Sequence, residues 1–216
     1  MNKCWLAALL LCVGLATQAQ PTNDWNAWNP EKAQALAASG SRERGAQAFV
    51  ICRGCHRVGA LGRPDGSYPR LAGQHASVLI KQMTDVRAGR RINPKMLPFV
   101  DEHELDVQQI ADIAAYVQAL PVPPTQGQGP GVGLERARQD YAEHCSACHG
   151  PTGKGDGAKF YPRVAGQHFK YLLREERMIR DGQRGNGHPR MVDAIAGQSD
   201  DDLSALADLM SRFPLD

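Results

Sequence analysis

The sequence has no surplus of charge of either sign. In 216 residues, 25 lysines and arginines face 23 aspartates and glutamates, a formal net charge of +2. That balance supplies none of the basic excess that nucleic-acid binding requires. The apolar run near the start, Trp5 to Leu15, falls well short of the roughly 20 residues of a spanning helix. No strand-like alternation surrounds the cysteines, which excludes the βαβ setting of a thioredoxin-like dithiol. Cysteine is not to spare either. Of six, Cys4 and Cys12 lie in the first twenty residues, and the other four are committed to two short motifs, which leaves none for a disulfide.

Those first twenty residues have the form of a secretory signal. Met1-Asn2-Lys3 is a short positive start, the apolar run follows, and Thr17-Gln18-Ala19 offers a small-residue cleavage site near Ala19. Cys12 as a lipoprotein cysteine is the weaker reading, because Leu11 stands where a small residue is expected. The pattern predicts export to the periplasm, with no transmembrane span in the mature chain and membrane association limited to the periphery.

What the sequence does contain is one motif twice: Cys52-Arg53-Gly54-Cys55-His56 and Cys145-Ser146-Ala147-Cys148-His149. Cys-x-x-Cys-His is the attachment site of c-type haem. Two thiols one helical turn apart add to the vinyl groups as thioethers, and the adjacent His turns its imidazole to the iron. A zinc site built from two Cys-x-x-Cys pairs usually keeps them about fifteen to twenty residues apart, whereas these begin 93 residues apart. Two covalently bound haem c groups are therefore expected. They would supply apolar core that two domains of this size lack.

The motifs belong to a longer repeat. Tyr68-Pro69-Arg70-Leu71-Ala72-Gly73-Gln74-His75 returns at the same interval as Tyr161-Pro162-Arg163-Val164-Ala165-Gly166-Gln167-His168, the mark of a duplicated domain. Helices are expected before each motif (Ser41–Ile51, Leu134–His144), after each repeat (Ala76–Ala88, Phe169–Asp181) and at each end. The closing stripes are Leu105, Ile110, Ile113, Ala114 and Val117, then Leu203, Leu206, Leu209, Met210 and Phe213. Asp101 or Glu104 would cap the first and Ser199 the second. Gly45 with Phe49, and Ala137 with Tyr141, place a small residue four before an aromatic, a pattern that lets another helix cross closely. The helix before the second motif carries one residue more than its counterpart. The chain thus divides into a signal segment (1–20), a leader (21–40), a first domain (41–120), a Pro- and Gly-rich linker (121–133) and a second domain (134–216). Within the leader a helix is expected from Pro30, and Trp25 and Trp28 are expected to pack on the first domain.

Function turns on the ligand opposite each His. Asn93-Pro94-Lys95-Met96 and His188-Pro189-Arg190-Met191 put a Met after x-Pro-basic in both halves, with a two-residue insertion near Gln183 to Asn186. The prolines predict extended loops presenting Met96 and Met191 to iron. His75 and His168 repeat equally well and are the competing ligands; they would lower the potential where Met raises it. Met83, Met178 and Met210 have no repeated partner and are expected in the core. His103, His144 and His188 are expected at the surface.

With these residues the chain resembles the dihaem cytochromes of the cytochrome c4 family over nearly all of residues 41 to 216. The resemblance implies an all-α fold: two class I cytochrome c domains, each wrapped around one haem. It implies an electron carrier rather than an enzyme, working between redox protein partners such as a membrane oxidase or reductase and a soluble dehydrogenase. By the same match Pro69 would orient His56 and Pro162 would orient His149. Tyr68, Arg70, Tyr161 and Arg163 become candidates for haem propionate contacts near the domain interface. Arg87, Arg90 and Arg91 form either a docking rim or, more simply, a solvated helix end. Arg57 departs from the family pattern, which has Gly after the motif, as at Gly150. Two other functions compete: haem subunit of a sulfur-oxidising or flavocytochrome dehydrogenase complex, and a dihaem peroxidase, which would need an open coordination position.

Overall fold

A computed structural model of the chain describes residues 25–215. The expected signal segment and residues 21–24 of the leader lie outside them. The described residues are helical, and their sole β pairing is an isolated bridge between Asp156 and Tyr161. The first half contains α1 (Pro30–Ala37), α2 (Arg42–Ala48), α3 (Arg53–His56), α4 (Ala76–Arg87), α5 (Leu97–Val100) and α6 (Val107–Gln118). The second contains α7 (Leu134–Asp140), α8 (Ser146–His149), α9 (Phe169–Arg180), α10 (Pro189–Ile195) and α11 (Asp200–Ser211).

Each half is built on one close helix crossing. At Gly45 of α2, a Cβ would lie 2.0 Å from the Asp112 carbonyl oxygen and 2.7 Å from the Tyr116 Cβ on α6. One turn on, the buried Phe49 ring stands 5.7 Å from Tyr116. In the second half Ala137 and Tyr141 are buried against α11, and Tyr141 meets Phe213 edge-on at 4.8 Å. The expected small-then-aromatic crossing is thus present in both. The extra residue before Cys145 is absorbed locally: Phe49–Cys52 is a tight 3₁₀ turn, whereas Tyr141–Cys145 is a wide π turn.

A buried Asp on each closing helix ties down the chain that precedes the crossing. Asp112 accepts from the Ser41 N–H at 2.7 Å and from Arg44 Nε at 2.6 Å. Asp208 accepts from the Gly129 and Gly131 N–H groups at 2.8 and 2.6 Å. The closing stripes are buried as expected, apart from partly buried Phe213. Ser199 caps α11 in a capping box with Asp202. The first cap is corrected: Asp106 caps α6, boxed with Gln109, because Asp101 is spent on the preceding turn, accepting from the His103 N–H.

The halves meet about a pseudo-twofold axis. The Arg70 N–H donates to Gln167 Oε1 at 2.9 Å, and Gln167 Nε2 donates to the Arg70 carbonyl at 2.8 Å. Reciprocally, the Arg163 N–H donates to Gln74 Oε1 and Gln74 Nε2 to the Arg163 carbonyl, both at 2.9 Å. A second reciprocal set lies further along. Arg91 joins Gln82 of its own half (2.8 Å) to Glu175 of the other (3.0 Å), and Arg184 joins Glu175 (2.8 Å) to Gln82 (3.2 Å). Asn186, in the inserted stretch, donates to Asp85 at 2.8 Å, and Asp85 is also paired with Lys81 and Arg90.

These contacts revise two expectations. Arg87, Arg90 and Arg91 form neither a rim nor a solvated end: Arg87 is paired with Glu31 and donates to the carbonyls of Val100 and Leu105. Trp25 does not belong to the first domain alone. Its ring packs 4.4 Å from His188 of the second half while the Lys81 ammonium of the first lies 5.2 Å from it. Trp28 is 79% exposed.

Two outcomes follow from this packing. Gly45→Ala forces α2 and α6 apart and should cost on the order of 3 kcal/mol; Ala137→Gly, where a methyl already fits, should cost about 1 kcal/mol. Denaturant midpoints of the holoprotein measure both, and equal costs would contradict the crossing. Burial alone would raise Asp85 and Glu175, but Lys81, Asn186 and Arg90 around the first, and Arg184, Arg91 and Arg174 around the second, hold both below ordinary carboxylates. The stability they confer is full above the unfolded values of 3.8 and 4.5 and lost as pH falls through the lower folded ones. The thermal midpoint should therefore drop on acidification below about pH 4, less steeply in Glu175→Gln.

Candidate haem-binding sites

Each motif sits where a short helix turns away from the crossing. Cys52 precedes α3, Cys55 lies in it and His56 ends it; Cys145, Cys148 and His149 repeat this around α8. The next residue has positive φ in both, 67° at Arg57 and 75° at Gly150. Glycine adopts this conformation freely, and Arg57 holds it at a cost of about 1–3 kcal/mol.

The imidazoles are oriented from behind. His56 Nδ1 lies 3.2 Å from the Pro69 carbonyl oxygen, and His149 Nδ1 lies 3.0 Å from that of Pro162. A carbonyl can only accept, so Nδ1 carries the proton and Nε2 keeps its lone pair for a metal. Burial lowers both pKa values, against the smaller opposing effect of those carbonyls, and both rings are neutral near pH 7. Burial also pushes the Cys52 thiol up to about 11 and the Cys145 thiol up to about 12. A redox dithiol needs the reverse. Among the described residues no three His, Cys, Asp or Glu side chains converge on a metal position, so the pairs do not combine into one zinc site. The donor set, two thiols a helical turn apart beside a neutral imidazole with Nε2 unengaged, fits haem.

The octapeptide repeat divides between motif and interface. The Tyr68 hydroxyl lies near Cys55 and that of Tyr161 near Cys148, and each thiol helps to raise its phenol's pKa; the Tyr68 ring meets His56 edge-on at 6.1 Å. Arg70 is buried at the domain interface, donating to the Gly166 carbonyl at 2.8 Å and to Thr125 Oγ1 at 3.1 Å. Arg163 donates to the Leu215 carbonyl at 3.0 Å. The Nε atoms of both arginines are buried without a partner, as suits donors facing an acidic edge of the cofactor.

His75 and His168 are also interface residues. His75 Nε2 lies 2.8 Å from the Lys154 carbonyl oxygen and His168 Nε2 2.8 Å from that of Leu61. The Gly127 N–H donates to His168 Nδ1 at 3.1 Å, so both nitrogens of that ring are used. Met96 is half-buried beside the first core, and Met191 packs on Ile179, Ile195 and Leu203. Neither stands in an extended loop: Met96 immediately precedes α5 and Met191 lies in the first turn of α10. Proline restricts the residue before it, not those after, and it suits the first turn of a helix. Met83 and Met210 are buried and Met178 half-buried. His103 and His144 are exposed; His188 instead caps α10, accepting from the Arg190 N–H, between Trp25 and Tyr161. Sequence reasoning missed the interface role of Gln74 and Gln167, although their place in the octapeptide was the available signal.

A family profile described as cytochrome c matches residues 42–121 and 134–212. The thiosulfate dehydrogenase electron acceptor of Stutzerimonas stutzeri is 35% identical over 196 residues, covering 83% of this chain and 88% of that protein. Cytochrome c4 of Pseudomonas aeruginosa is 32% identical over 216 residues, 96% of each chain. Among solved structures, reduced recombinant cytochrome c4 from Pseudomonas stutzeri superposes with a TM-score of 0.72 at 26% identity, covering 82% of this chain and 100% of that one. Likeness in sequence and fold thus spans both halves and the way they pair, and by it this chain belongs to the cytochrome c family, as a tandem, covalently haem-bearing member of its cytochrome c4 branch.

Proposed function

We propose that this protein is a periplasmic one-electron carrier with two His/Met haems, held by a first domain over residues 41–120 and a second over 134–216. His56 and Met96 would ligate one iron, His149 and Met191 the other. Bound haem supplies a centre that changes by a single electron; the chain's residues decide what else can reach it. Pro69 and Pro162 hold the imidazoles in the ligating tautomer, Tyr68 and Tyr161 flank the second cysteine of each motif, and Arg70 and Arg163 offer their free Nε atoms to propionates. The observation that carries this reading is the engagement of His75 and His168 across the interface, which leaves the methionines as the repeated donors. Were His56, Met96, His149 and Met191 all to ligate iron, no position would remain for peroxide, and the protein would transfer electrons without transforming a substrate.

The partners are redox proteins. Likeness to a protein named as an electron acceptor of thiosulfate dehydrogenase favours one specific alternative, service as the haem subunit of a sulfur-oxidising dehydrogenase. Purification from the native source with a dehydrogenase in fixed stoichiometry would select it; recovery as a free protein would select the mobile carrier. Export rests on the pattern of residues 1–20, and no described helix is long and apolar enough to cross a membrane.

Absorption spectra of the ferric holoprotein test the ligands. Met96→Ala should remove half of the Met-to-iron charge-transfer band and Met191→Ala the other half, while His75→Ala and His168→Ala keep all of it. A full band in either Met variant would mean that the ligand is wrong. Rapid cyanide binding by the unaltered ferric protein, or peroxide turnover, would move the assignment to a peroxidase.

A further inference from the structure

Between the paired helices α4 and α9, one position exchanges a core hydrophobic residue for a buried, unpaired acid. On α4 it is Met83, 6% exposed and packed into the first core, to which Cys52 also packs. Its equivalent on α9 is Glu176, 5% exposed. One turn earlier on α9, Leu172 belongs to the second core, against which Cys145 packs. Glu176 is close enough to that cysteine that, after burial, its charge contributes most to raising the Cys145 thiol. Glu176 Oε2 is buried with no hydrogen-bond partner.

Nothing nearby neutralises this carboxyl by pairing with it. Arg177, next along α9, is the cation that acts on it, but Arg177 spends its Nη2 on Asp200 of α11 at 3.0 Å. Two further acids of α11 are also paired, Asp202 with Arg136 and Asp208 with Arg212. Arg190 and Asp193 of α10 are exposed. Asp140, at the end of α7, acts on the same cysteine and adds negative charge. The neighbouring Glu175 is committed to Arg91 and Arg184. Burial therefore holds Glu176 well above the ordinary carboxylate range, against the weaker pull of Arg177, and so favours its protonated form.

We propose that Glu176 is a redox-linked proton site of the second domain, protonated while the adjoining haem is reduced and ionised once it is oxidised. The proposal rests on haem attachment at Cys145 and Cys148. On oxidation one electron leaves to the partner redox protein, and the pocket gains one positive charge. The Glu176 O–H bond then breaks, its electron pair stays on the carboxylate oxygen, and the proton passes to water; reduction reverses each step. The first domain, with Met83 in that place, lacks the device and serves as an internal control.

Potentiometric titration of the holoprotein across about pH 5 to 9 reads the coupling. One midpoint potential should fall as pH rises, by up to about 59 mV for each tenfold change in proton concentration in a one-electron step, while the other changes far less. Glu176→Gln should flatten the falling potential, with two haems per chain and the Met charge-transfer band retained. Redox-difference infrared spectra should show a protonated carboxyl band in the reduced protein that vanishes on oxidation and is absent from Glu176→Gln. An unchanged slope in Glu176→Gln, or no redox-linked carboxyl band in the unaltered protein, would overturn the proposal. Should Glu176→Gln fail to mature, Glu176→Met restores the residue that the first domain tolerates, and the infrared measurement on the unaltered protein decides alone. A haem count other than two per chain would instead refute the underlying haem assignment.

Discussion

The hydrogen bond from each motif imidazole to a proline carbonyl is the interaction on which the remainder depends. It fixes which nitrogen carries the proton and therefore which one can face a metal. It also fixes where the octapeptide must run, because Pro69 and Pro162 have to lie behind His56 and His149. Once they do, the flanking residues have little choice. The tyrosine before the proline falls beside the second cysteine, and the arginine after it points into the domain interface, where the glutamine and histidine of the other copy are waiting. A single stretch of eight residues thus connects the orientation of a metal ligand to the pairing of two domains.

The departures from perfect repetition are concentrated along the outer part of the same interface. Trp25 of the leader packs on His188, and Asn186 of the inserted stretch bonds to Asp85. Both additions reach from one half to the other. Both meet the Lys81–Asp85 pair, beside a ladder of reciprocal contacts through Gln82, Arg91, Glu175 and Arg184. Many of these charges are buried, so each carries a desolvation cost that only complete pairing offsets. That explains why the arginines after α4 are enclosed and not displayed to solvent.

Much of this was legible from the residues alone because it was written twice. The Cys-x-x-Cys-His motifs, the octapeptides and the Gly45/Ala137 crossings each had a partner copy to compare against. Local chemistry likewise placed Pro30 at the start of α1 and Ser199 before α11. What could not be read depended on distant partners. Arg91 looks like a surface cation until Glu175, from the other half, stands beside it. Asp101, Glu104 and Asp106 are equal as caps until the preceding turn takes one of them. Proline before Met96 and Met191 was compatible with an extended loop and with a helix start, and only packing against α4 and α9 chose. Glu176 was averaged into an amphipathic helix, since a single acid on a buried face leaves no periodic trace.

The reciprocity of the Gln74 and Gln167 pairs has a consequence for descent. A contact in which residue and counterpart exchange identical bonds is isologous, so each domain bears both complementary halves of it. A lone ancestral domain would have carried the whole surface needed to form a homodimer, and duplication in tandem preserved that dimer while making its formation independent of protein concentration. Only with the halves free to diverge could one pocket hold a methionine, Met83, and its twin an acid, Glu176.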